Sequence, residues 1–125
     1  MASKGRPYRA VRLDGFEVLI GRGDEQNDRL TFEVAGPHDF WLHVAGRVAG
    51  SHVVIRNPER LTELPHHVIE RAAALAAWYS KARHVGEAEV HVCRVADVSK
   101  PRGAPPGTVR LKRSFRIRVA PRALD

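Results

Sequence analysis

The stretch DFWLHVAGRVAGSHVVIR, Asp39 to Arg56, decides how the rest of the chain is read. Two apolar runs, FWLHVA (40–45) and HVVIR (52–56), flank GRVAGS (46–51). Both runs are rich in Val, Ile, Phe and Trp and too short for a packed helix, so they read as strands. The glycines between them supply a turn or a bulge. If the strands pair as neighbours, His43 and His52 come close.

Downstream, Pro58 stops the second strand. The stretch LPHHVIERAAALAAWYSKARHVG (64–86) is the principal helix. Pro65 suits a first helical turn. Val68, Ala72, Leu75, Ala76 and Tyr79 form an apolar stripe. Lys81, Arg83 and His84 are placed in the last turn, where cations meet the negative end of the dipole, and Gly86 closes it. The alanines imply close packing on a sheet. Upstream, YRAVRLDGFEVLIGR (8–22) reads as a β-hairpin, because Asp14-Gly15 favours positive φ at both turn positions. In the segment that follows, Asn27 or Asp28 is expected to cap a short helix with Leu30, Thr31 and Val34 on one face. A short strand is the competing reading, since Leu30, Phe32 and Val34 also alternate.

In the tail, AEVHVCRV (88–95) is a strand and KPRGAPPG (100–107) an ordered loop. VRLKRSFRIRV (109–119) alternates, with Phe115, Ile117 and Val119 on one face and Ser114, Arg116 and Arg118 on the other. The expected fold is a single α+β domain, a mainly antiparallel sheet with one principal helix and one short helix. The domain is expected over residues 8–122, after a disordered basic N-terminus at 1–7.

The chain has 125 residues, 43% hydrophobic and 28% charged, which excludes a disordered chain and permits one full core. One cysteine excludes an internal disulfide or a cysteine-cluster zinc site. No signal sequence and no apolar run of about 20 residues is visible, so the expectation is a cytoplasmic protein with no membrane partner. Lys and Arg number 21 against 14 Asp and Glu, a net charge of +7. The pI near 10.5 exceeds the value of about 9 that suggests a polyanion partner. From Arg94 onward there are nine basic residues and two acids, the one-sided charge that phosphate recognition needs.

Other chemistries fit less well. His43, His52 and Asp39 could ligate a metal, but the helical His pair and tight Cys/His spacing are missing. His66 and His67 are adjacent on a helix and diverge. Ser51, His52 and Cys93 have no nucleophile-elbow context. GRGDEQND (21–28) lacks the Lys-Ser/Thr end of a P-loop, and its acids would repel phosphate. No cofactor is expected. Nucleic-acid contact remains, with Trp41 and Tyr79 as stacking faces and Arg116, Arg118, Lys112 and Arg113 as phosphate ligands.

In their order, Gly21-Arg22, Gln26-Asn27-Asp28, Asp39/Trp41/His43, Gly50-Ser51-His52, Tyr79 to Arg83 and Lys100 to Gly107 resemble the NFACT-R domain. This is the RNA-binding module of NFACT or fibronectin-binding protein A-like proteins of ribosome-associated quality control. The resemblance covers about residues 8–120. It implies a non-catalytic module that binds tRNA or ribosomal RNA, with the large ribosomal subunit as the wider partner. The chain is expected to depart from that pattern as a stand-alone module, without the N-terminal, helix-hairpin-helix and coiled-coil parts. On this reading Trp41 is partly core, while His43, His52 and Arg22 line a site with Asp39 and Ser51. Lys81, Arg83, Lys100 and Arg102 add phosphate contacts, and Arg116 and Arg118 extend them. Two alternatives stay open. One is an accessory or catalytic component of an RNA (tRNA) modification system, using His43, His52 or Asp39. The other is a protein-interaction module with a basic face.

Overall fold

A computed structural model describes residue 6 and residues 8–124. The expectation of a disordered 1–7 segment falls, apart from Arg6, outside the described residues. The elements are strands β1 (Tyr8–Leu13) and β2 (Phe16–Gly21), helix α1 (Asp24–Arg29), a π-type turn (Leu30–Val34), and strands β3 (Phe40–Val44) and β4 (Val53–Ile55). Helix α2 (His66–Trp78), strand β5 (Ala88–Arg94), and the short strands β6 (Val98–Ser99) and β7 (Arg110–Leu111) follow, then β8 (Phe115–Val119). The fold is α+β.

Six strands form one antiparallel sheet in the order β1-β2-β4-β3-β5-β8. The β1–β2 hairpin turns at Asp14 and Gly15, both with positive φ. The two runs of the 39–56 stretch are sheet neighbours, with Trp41 opposite Val54 and Leu42 opposite Val53.

Both faces of the sheet are covered. On one face α2 packs Val68, Ala72, Leu75 and Ala76 onto Val18, Leu42, Val53 and Val90. Alanine lets the helix backbone approach closely, which suits a flat, Val-rich floor. The other face carries Leu19, Trp41, Val54 and Cys93. It is capped by Leu30 from the π-type turn and by Val95 and Val98 at the start of the β6–β7 hairpin.

Three expectations change, and one open choice is settled. Helix α1 starts after Gly23, not at Asn27 or Asp28, and the Asn27 amide donates to the Gly23 carbonyl at 2.7 Å. Of the two readings of segment 30–34, the helical one holds: Leu30 and Thr31 are buried while Phe32 is exposed. Helix α2 ends at Trp78, so Lys81, Arg83 and His84 lie beyond it. The chain leaves the helix there because the Ser51 amide donates to the Tyr79 carbonyl and the Lys81 amide to the Ala49 carbonyl, each at 2.9 Å. Finally, residues 109–119 are not one strand. Leu111 pairs with Val98, and the chain then crosses to the edge of the main sheet, leaving Phe115 53% exposed.

Candidate functional site

The site is organised by a clasp of buried polar groups at one end of the second sheet face. Asn27 projects from α1 and is 2% exposed. Its Oδ1 accepts the His52 backbone amide at 3.0 Å, and its Nδ2 donates to the Gly50 carbonyl at 3.2 Å. A Cβ at Gly21 would collide with the Asn27 side chain, so glycine is required there for this approach. Ser51 Oγ donates to the Gly21 carbonyl at 2.7 Å. Gly50 in turn lies so near Ser80 that an added Cβ would sit 2.6 Å from the serine Cβ. One segment, 50–52, is thereby fastened to β2, α1 and the turn after α2.

Asp28, one residue on, fastens the 100–107 loop. It takes the Lys100 ammonium at 2.8 Å and the Gly107 amide at 3.0 Å. Lys100 also donates to the carbonyls of Pro105 and Thr108, at 2.6 and 3.0 Å. Its charge therefore folds the loop before it meets any ligand. Arg102 stands exposed near the loop tip.

The histidines lie between these clasps. Trp41 Nε1 donates to Thr31 Oγ1 at 3.2 Å, and Thr31 Oγ1 is 2.9 Å from His52 Nδ1. Burial pushes His52 down to about 3, against a smaller opposing effect of a hydrogen bond to the Gly107 backbone. At neutral pH the ring is uncharged. Thr31 Oγ1, which accepts from Trp41, then donates its proton to Nδ1, and the ring proton sits on Nε2. With Nδ1 engaged by Thr31 and so low a pKa, His52 is a poor general base. His43 stacks on Trp41 with ring centroids 5.8 Å apart and meets His52 edge-on at 5.3 Å. Burial also lowers its pKa.

Trp41 is 1% exposed, so the expectation of a partly core, stackable ring is corrected: it is fully core and backs His43. Asp39 is buried too, and its carboxylate is spent on structure. It accepts the amides of Gly36 and Asn57 at 2.9 and 2.7 Å and pairs with Arg56 at 2.9 Å. Its carboxylate thus meets the chain around it instead of His43. Among the described residues, no group of three or more His, Cys, Asp or Glu side chains is placed to hold a metal ion.

Four of the expected residues do converge. Arg22, Ser51, Lys81 and Arg83 line one groove of about 330 Å³ together with Tyr79. Arg9, which the sequence reading passed over, stacks its guanidinium 5.4 Å from the Tyr79 ring. Its contribution depends on β1 lying beside the end of α2, which no local pattern announces. Arg116 and Arg118 are elsewhere, on edge strand β8, paired with Glu89 and Glu87 at 3.3 to 3.8 Å.

A family model described as NFACT protein RNA binding domain matches residues 6–113. The chain is 38% identical over 125 residues to the Rqc2 homolog RqcH of Bacillus subtilis, and 37% identical over 117 residues to that of Streptococcus suis. These matches cover 96% and 93% of this chain but 21% and 20% of the relatives, so the chain spans about a fifth of their length. Among solved structures, it is similar to the C-terminal part of the fibronectin/fibrinogen-binding protein of Streptococcus suis. That likeness has a TM-score of 0.83 at 36% identity and covers 94% of this chain and 46% of that one. No helix among the described residues is long and apolar enough to cross a membrane.

Proposed function

Because the chain belongs to the family of NFACT protein RNA binding domains, we propose that it binds RNA along the groove lined by Arg22, Lys81 and Arg83. The observation that carries this reading is that groove itself. Cations from the end of β2 and from the turn after α2 meet around Tyr79, with Arg9 packed on the ring. Phosphates bind where several cations converge, because each neutralised phosphate releases condensed counterions. An aromatic among them adds a face for a base.

The RNA we infer is tRNA or ribosomal RNA, met in the cytoplasm during ribosome-associated quality control. The relatives named as Rqc2 homologues support this setting. The proposed role is binding and positioning without chemistry, in keeping with a structural Asp39 and a His52 whose Nδ1 is held by Thr31. The test is a mobility-shift titration of tRNA and of large-subunit rRNA fragments at low salt. Binding weakened by Arg22→Ala, Lys81→Ala or Arg83→Ala is expected. Absence of binding to either RNA at low salt overturns the proposal.

A further inference from the structure

A second hollow adjoins the groove. Gly50 and Ser51 line the groove, and the next residue, His52, lines a cavity of about 490 Å³. Its floor is the sheet face, where His43 of β3 stands directly opposite His91 of β5. Gly46 and Arg47 form one wall, and Gly107 to Val109 the other. That size falls within the range of about 300–1,000 Å³ typical of small-molecule sites.

The lining selects its guest. Burial lowers the pKa of His43, His52 and His91 alike, so the floor is uncharged at neutral pH. A phosphate would find few fixed donors there. A planar, uncharged heterocycle would find imidazole faces and polar edges. His91 Nδ1 is buried with no hydrogen-bond partner among the described residues, and an orphaned polar atom of that kind is costly. Rotation about χ2, a soft torsion in histidine, would turn it toward a guest. The charge sits at the rim, where Arg47 is exposed, while Arg116, opposite His91 on β8, is paired with Glu89. An uncharged hollow with a cation at its mouth suits a heterocycle carried on an anionic chain.

We infer that this cavity takes one unstacked nucleobase of a single-stranded or looped RNA, held against His43 and His91 while its phosphates pass Arg47. Single-stranded RNA is read in this way generally, through splayed bases against aromatic or histidine rings. The inference rests on the RNA-binding reading but is separable from it.

The experiment compares two fluorescein-labelled six-nucleotide RNAs by anisotropy at low salt. One carries all four bases, and the other has the same phosphates with every base removed. The wild-type chain is expected to bind the first about tenfold more tightly, the order of one stacked base. His91→Ala removes the ring face and its nitrogens, and Thr108→Trp narrows the mouth. Either variant is expected to lower the preference toward unity and leave abasic affinity unchanged. Equal wild-type affinity for the two oligomers overturns the base pocket alone, as does a preference that survives in both variants. Binding to neither oligomer overturns the pocket and the RNA reading together.

Discussion

Asn27 and His52 are joined through the backbone: the Asn27 carboxamide oxygen accepts the His52 amide at 3.0 Å inside the core. The same side chain donates to Gly50, so one buried amide holds α1 against the 50–52 segment that separates groove from cavity. Asn27→Ala removes both bonds and strands a buried amide. The expected loss is about 2–4 kcal/mol, seen as a lower urea midpoint with little change in m-value. Asn27→Asp keeps the acceptor but sets a buried carboxylate oxygen against the Gly50 carbonyl, so it should cost at least as much.

Gly50 and Ser80 give a steric prediction. A Cβ at Gly50 would lie 2.6 Å from the Ser80 Cβ, where no flexible chain end can move aside. Gly50→Ala is therefore expected to cost about 1–3 kcal/mol, the range for overpacking. Ser80→Gly in the same chain removes the colliding atom. The double variant should be more stable than the sum of the two single losses, measured as a double-mutant cycle by denaturation.

Stability should fall on acidification below neutrality. His43, His52 and His91 have folded pKa values below 6.5, so the unfolded chain binds more protons than the folded one as pH drops. Stability contributed by their neutral state is full above 6.5 and is lost as pH falls toward the folded values. Each histidine protonated only in the unfolded chain contributes a slope of about 1.4 kcal/mol per pH unit. Urea midpoints between pH 7.5 and 5 should show the decline. His52→Gln, which removes the most strongly depressed group, should flatten it; an unchanged slope would contradict the assignment.

Local chemistry announced some of this architecture and concealed the rest. Asp14-Gly15 marked its hairpin because the turn demands positive φ at both residues. Likewise, β3 and β4 were legible as neighbours from two short Val-rich runs around glycines. Trp41 was misjudged because alternation says which residues share a face, not whether that face is covered. Here α1, the π-type turn and the β6–β7 hairpin cover it. Leu30, Phe32 and Val34 fit a strand as well as a helix, and only the exposure of Phe32 separates the two. Lys100 looked like a phosphate ligand because its partner, Asp28, is 72 residues away in the chain. The pairing of Arg116 and Arg118 with Glu89 and Glu87 needed the β5–β8 register, which places Glu89 opposite Arg118.

The convergence of Arg22, Lys81 and Arg83 on one groove yields a prediction in salt dependence. If Arg22, Lys81 and Arg83 contact phosphates, each alanine substitution removes one neutralised charge. The slope of log affinity against log salt should then become shallower by about 0.7 per residue for single-stranded RNA. Lys100→Ala should behave differently. It removes the bonds to Asp28, Pro105 and Thr108, so the loop loosens and stability falls along with affinity. Exposed ion pairs such as Arg116–Glu89 contribute about 0–1 kcal/mol. Arg116→Ala should therefore leave stability nearly unchanged and, lying off the groove, alter the salt slope less than Arg83→Ala. Titrations of one RNA at four salt concentrations, paired with urea melts of each variant, separate the two classes. Equal slopes for wild type and the Arg22, Lys81 and Arg83 variants would remove the groove from the binding surface.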